Sequence, residues 1–162
     1  MDITIDVEDY KLNVRGAAII THNNKILVHR NVNSDHYALL GGRMAIGEDS
    51  ETTAKREVLE ELGKEIEITG YVSTIENFFE MKGSKYHEIM FVHKAEFVND
   101  EDKLIENTLR NIEGKEYIQY EWLPIDKIDE YPLRPAVVKS VLKEKVFPVH
   151  KINNDLIGKK EY

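Results

Sequence analysis

The chain contains no cysteine, which removes a disulfide framework, a thiolate zinc site and a cysteine nucleophile together. It is also short of positive charge. Lys and Arg number 22 against 30 Asp and Glu, a formal net charge of −8, whereas a surface that displaces counterions from nucleic-acid backbone is basic. No nucleic-acid polymer is expected as a partner, and a phosphorylated substrate has to be held locally by metal and a few cations. No apolar run approaches the roughly 20 residues of a membrane span. The acidic start MDITIDVEDYKLN lacks the basic-then-apolar order of a signal peptide. A cytoplasmic location without membrane contact is therefore expected. Repeats, low-complexity tracts and linkers are missing too, and 162 residues suit one domain with its own core.

What the chain does have is concentrated between Gly42 and Gly63, in GRMAIGEDSETTAKREVLEELG. At about 100° per residue, Ala54, Val58 and Leu62 share one arc of a helix, and Glu57, Glu60 and Glu61 share the arc beside it. Asp49 or Ser50 can cap the start, Glu51 suits the first turn, and Gly63 is the natural stop. Glu60 and Glu61 then lie in the last turn, at the negative end of the helix dipole and within one turn of Glu57. Each of these relations is unfavourable by a few tenths of a kcal/mol. Solubility alone requires neither this misplaced charge nor the flanking glycines and adjacent Arg56. A bound divalent cation would reverse the sign of the arrangement, and hard oxygen donors select Mg²⁺ or Mn²⁺.

The same residues resemble the signature of the Nudix hydrolases, a MutT-like pattern of Gly, five residues, Glu, seven residues, then Arg-Glu-apolar-any-Glu-Glu-any-Gly-apolar. Gly42, Glu48, Arg56, Glu57, Glu60, Glu61 and Gly63 all match. Lys64 stands where the pattern ends in an apolar residue, and Leu40 stands before Gly41-Gly42 where family members often have proline. The resemblance implies an α/β fold, the Nudix-type α/β/α sandwich with a central mixed sheet. It covers about residues 11–146 of a single domain, with a tail over 147–162, and assigns no subfamily.

The surrounding pattern agrees with that order of elements. Arg15 to Thr21 and Lys25 to His29 read as a hairpin turning at His22-Asn23-Asn24. Glu65 to Phe79 reads as strands bent at Gly70, Lys82-Gly83-Ser84 as a turn, and Tyr86 to Phe97 as a further strand. Asn99 to Gly114 reads as a loop with a short helical turn, Tyr117 to Leu123 as a strand, and Ile125 to Glu130 as a helical turn. A terminal helix is expected over Ala136 to Val146 after Pro135. The tail is weakly patterned.

The resemblance also implies roles. Arg56, Glu57, Glu60 and Glu61 become the catalytic set, with Mg²⁺ or Mn²⁺ held by Glu57, Glu60 and Glu61. Glu48 assists metal binding or anchors the loop, Arg56 steadies the glutamates, and Gly41 and Gly42 let the backbone approach closely. The substrate is a small nucleotide-type molecule, a nucleoside diphosphate linked to another group and cleaved by water at phosphorus. The alternative is a silent nucleotide-binding or sensor domain. Homodimers are common in the family.

The general base is open: Glu60 or Glu61 can serve through a metal-bound water, and outside the signature Glu88, Asp100, Glu101 and Asp102 are candidates, though each of these alone reads first as an ordinary surface carboxylate. Arg30 with His29, and Arg134, are candidate phosphate contacts. Phe78, Phe79 and Tyr86 are candidates to stack on a base, and His87 reads as structural. Glu65 to Glu80 holds no proline, and its one tyrosine, Tyr71, comes early. The markers of ADP-ribose and dinucleoside polyphosphate subfamilies are thus both missing.

Overall fold

Alternation of apolar and polar residues turns most of this chain into strands, arranged around one amphipathic helix. A computed structural model describes residues 1–104, 108–111 and 117–157. Its elements run β1 (Thr4–Val7), β2 (Tyr10–His22), β3 (Lys25–Asn31), β4 (Ala38–Arg43), α1 (Ser50–Leu62), β5 (Ile66–Met81), β6 (Ser84–Phe97), β7 (Thr108–Asn111), β8 (Tyr117–Pro124), α2 (Val138–Val141) and β9 (Val149–Asn154). Short 3-10 helices lie at Asp100–Leu104 and Ile125–Glu130. Among the described residues nine strands form one mixed sheet in the order β7-β8-β3-β4-β2-β6-β5-β9, with β1 paired to β2. The β2–β6 and β5–β9 pairs are parallel.

The expected hairpin and the expected turn both form as two-residue connections between paired strands. Asn23 and Asn24 adopt φ of 49° and 56° between His22 and its partner Lys25. Lys82 and Gly83 do the same, at 50° and 77°, between Met81 and Ser84. Two successive positive φ angles give the turn whose twist matches paired strands. The bend foreseen at Gly70 is a pair of register shifts inside one continuous β5.

The sheet separates two cores. On one face α1 packs Ala54, Val58 and Leu62 against Ala18, Leu27, Leu40 and Ile66. Burying each of these Val and Leu side chains contributes about 1.5–3 kcal/mol. Gly16 admits the helix, since a Cβ there would stand 2.5 Å from the Ser50 carbonyl oxygen and 3.0 Å from Thr53 Cβ. On the other face Ile75, Met90 and Val92 pack against Ile128, Leu133, Val138 and Val141. Helical cover on both faces gives the expected α/β/α sandwich.

Three expectations change. The terminal helix is only Val138–Val141. Its flanks are tight i→i−3 turns, such as Val138 N to Pro135 O, and Ser140 Oγ bonds back to Val137 O. Valine-rich sequence with a serine bonding its own backbone favours such turns over a long helix. The tail contains β9, which gains its order by pairing with β5. The stretch expected as loop after Asn99 holds a 3-10 helix and β7; residues 105–107 and 112–116 lie outside the described residues. No helix among the described residues is long and apolar enough to cross a membrane.

Candidate active site

The loop from β4 into α1 is fastened by one arginine. Asp49 caps α1, its side chain accepting from Thr52 N, while Gly63 closes the other end at φ 70°. Ser50 bonds His93 Nε2 at 2.8 Å instead, and burial lowers the pKa of that imidazole. Nearly two turns inside the helix, Arg56 places its fork on Glu48, with Nε 2.8 Å from Oε1 and Nη2 2.9 Å from Oε2. Nη2 also donates to Arg43 O at 3.1 Å. Nη1 donates to Glu57 Oε1 at 2.8 Å and to Glu60 Oε2 at 3.4 Å. Every N–H of a guanidinium can thus be engaged, which a lysine cannot imitate.

Glu48 accepts two further bonds at Oε2, from Ala45 N at 3.1 Å and Thr53 Oγ1 at 2.8 Å. The Arg56 hydrogen bonds are the main reason its pKa falls from 4.5 to about 2, and the donors at Ala45 and Thr53 add to the effect. Because the folded value lies below the unfolded one, the stabilisation is complete above about pH 4.5 and is lost as pH falls toward 2. Thermal midpoints from pH 6 to pH 3 should accordingly fall more steeply for the parent than for Glu48→Gln. Parallel curves would show that the anchor is not ionic.

The three helix carboxylates differ in setting. Glu57 lies against β4, and a Cβ at Gly42 would fall 2.1 Å from its Cδ and 2.4 Å from both oxygens. Glu60 is open, its side chain 58% exposed. Glu61 is only 7% exposed, with Oε2 3.5 Å from His29 Nδ1. Among the described residues no three carboxylates or imidazoles stand together as a ready metal group.

Across the sheet from α1 lies a cleft of about 610 Å³. Four cations, Arg15, Arg43, Arg134 and Lys139, line it together with the carboxylates of Glu80, Glu88 and Asp155, and Phe79 and Tyr86 add a stacked ring pair 4.8 Å apart. The cleft and the helix meet at the glycines of β4. Arg15 reaches Gly41 O from the cleft side, Nη2 at 3.3 Å, while the Glu57 carboxylate touches Gly42 from the helix side. Arg43, next in sequence, sends its side chain into the cleft and its carbonyl to Arg56.

A NUDIX domain model matches residues 12–143. The chain belongs to the Nudix family. As a Nudix hydrolase it acts on phosphoric anhydride bonds. Among solved structures, the E. coli ORF135 protein is 26% identical, with a TM-score of 0.54 over 85% of this chain and 91% of that one. A NUDIX hydrolase from Nitrosomonas europaea is 17% identical, TM-score 0.63, over 88% and 79%. An ADP-ribose pyrophosphatase from Streptococcus suis is 13% identical, TM-score 0.58, over 86% and 98%. The last two are likenesses of fold. No curated protein matches the chain.

Within this Nudix domain the residues singled out from sequence are distributed unevenly. Arg56, Glu48, Glu57 and Glu60 form one hydrogen-bonded group with Gly41 and Gly42 beside them, which lie in strand β4 rather than in the loop the sequence suggested, and Glu88 and Arg134 line the cleft. Arg30 does not line it; Arg30 bonds Gln119 Oε1 at 3.3 Å and covers the Tyr37 ring. Phe79 and Tyr86 line the cleft, whereas Phe78 packs on His87. Asp100 pairs with Lys103, and Asp102 pairs with Lys64 at 2.9 Å. That second pair explains the polar residue at the signature's last position. Asn13, Arg15, Arg43 and Lys139 were not anticipated. Only polar residues at inward positions of apolar strands could have pointed to the first two.

Proposed function

We propose that this Nudix hydrolase cleaves a nucleoside diphosphate linked to another group, with Mg²⁺ or Mn²⁺ held by Glu57, Glu60 and Glu61. The observation that carries the reading is the meeting of an arginine-lined cleft and the carboxylate helix at Gly41–Gly42. The residues fit a hard cation in kind. Every donor is a carboxylate oxygen, and the missing Cβ of Gly42 leaves open the space that the Glu57 carboxylate occupies. A divalent cation, once bound, supplies neutralisation of phosphate charge and a more acidic water.

The chain's own residues do the rest. Arg56 holds Glu57 in place and ties it to the loop through Glu48. With both its oxygens engaged by four donors, Glu48 serves as the loop anchor in this reading and leaves metal binding to the other three. Arg43, Arg134 and Lys139 attract the phosphates into the cleft. Water oxygen bonds to phosphorus, the bridging P–O bond breaks, and two phosphorylated products and a proton leave.

The test is a product-release screen over nucleoside triphosphates, nucleotide sugars, dinucleoside polyphosphates, ADP-ribose, NADH and coenzyme A, with either metal. Turnover of at least one class, abolished by chelation, is the expected result. Saturable binding without turnover of any would replace the reading with a nucleotide-binding domain.

A further inference from the structure

A row of buried polar side chains crosses four strands, and three of them, Asn13, Asn77 and Glu88, line the floor of the cleft. Asn13 of β2 stands opposite Glu88 of β6, Glu88 opposite Asn77 of β5, and Asn77 opposite Asn153 of β9. All four are buried, Asn13 at 2% and Glu88 at 3% exposure. Part of the row is self-satisfied. Asn153 Nδ2 donates to Asn77 Oδ1 at 3.0 Å, and Asn77 Nδ2 donates to Glu88 Oε1 at 3.1 Å. These bonds orient the Glu88 carboxyl.

At the other end, hydrogen-bonding capacity is left over. Asn13 Oδ1 is buried without a hydrogen-bond partner, and so is Arg15 Nε. Arg15 Nε stops 3.9 Å from Glu88 Oε2, too long for a hydrogen bond. A buried carboxylate kept only for stability would be closed by its nearest cation, and a buried amide oxygen would find a donor. Here one orphan acceptor, one orphan donor and one carboxylate oxygen gather where Asn13, Arg15 and Glu88 all line the cleft. One row further along β5 and β6, on the same face, stand Phe79 and Tyr86. Side chains project roughly perpendicular to a sheet, so these rings form a wall beside the polar floor.

We propose that this floor reads the base of the nucleotide and selects a guanine-type edge. The proposal rests on the hydrolase reading above for the ligand being a nucleotide. The complement of one donor, one acceptor and a carboxylate is an edge that accepts once and donates twice. Guanine offers a carbonyl, a ring N–H and an amino group side by side. Adenine has no carbonyl, and uracil has a single N–H between two carbonyls. Cytosine would turn a ring nitrogen lone pair toward the Glu88 carboxylate. The flat base packs against the aromatic wall, and Asn77 and Asn153 act as positioning residues through Glu88.

Calorimetric binding of the monophosphates GMP, IMP, AMP, CMP and UMP tests this, because a monophosphate has no anhydride to hydrolyse. GMP should bind at least about tenfold tighter than AMP, CMP or UMP. It should also bind severalfold tighter than IMP, which lacks the amino group. Glu88→Gln should erase most of that preference, and Asn13→Ala should weaken GMP more than IMP. AMP, CMP or UMP binding as tightly as GMP would overturn the proposal. So would a preference that survives in folded Glu88→Gln and Asn13→Ala proteins, or no detectable GMP binding at millimolar concentration. A failed turnover screen would leave these ratios standing, and equal ratios would leave the hydrolase reading standing.

Discussion

Glu60→Gln is expected to lower metal-dependent hydrolysis by at least about a hundredfold while moving the thermal midpoint by no more than about 2 °C. The second half of that expectation gives the first its meaning. The side chain is 58% exposed, and its recorded contact is a 3.4 Å approach to Arg56 one turn earlier. Exposed pairs of this kind contribute at most about 1 kcal/mol. The order Arg then Glu also runs against the helix dipole, and α1 has no basic residue in its last turn to offset it. Glu60 therefore has almost no structural task to lose. A fall in turnover at unchanged stability is what the proposed metal coordination by Glu60 requires. Activity within a few-fold of the parent would remove Glu60 from the site. Glu61→Gln should match it in activity but is a less clean comparison, since Glu61 is buried beside His29.

The helix was legible because its signals are local. Caps, a period of 3.6 and the Glu57, Glu60, Glu61 spacing all lie within about four turns of chain, and the structure places Ala54, Val58 and Leu62 inward as that period requires. The two hairpins were legible for the same reason, through Asn23-Asn24 and Lys82-Gly83. What could not be read depends on pairing between distant segments. Asn13 and Glu88 become neighbours only through the parallel β2–β6 pair, whose connection runs through β3, β4, α1 and β5. Asn153 joins them only because β9 pairs with β5. Lys64 looked like a fault in the signature until Asp102 was beside it. Glu48 had two readings in sequence, and the number of donors on its carboxylate favours the anchor.

Adjacent glycines in β4 should fail in different ways when given the same methyl group. At Gly41 φ is 147°, and a Cβ would stand 2.2 Å from Gly16 O and 2.7 Å from Ala17 Cα. Those are backbone atoms of β2 in the middle of the sheet, with no room to withdraw, so Gly41→Ala should fold poorly or not at all. At Gly42 the backbone is one that alanine can adopt, and the new Cβ would meet the Glu57 carboxyl group, 2.1 Å from Cδ. A carboxylate on a flexible stem can swing aside, so Gly42→Ala should fold with a thermal midpoint near that of the parent. The swing breaks the 2.8 Å bond from Arg56 Nη1 and takes an oxygen donor from where the cleft meets the helix. Loss of one preorganised group at a charge-developing centre costs about 10²–10³ in turnover, and Gly42→Ala should lose at least that much. If Gly42→Ala instead kept full activity, the place of Glu57 against β4 would have no part in the chemistry, and the catalytic assignment of this helix would need to be redrawn around Glu60 and Glu61.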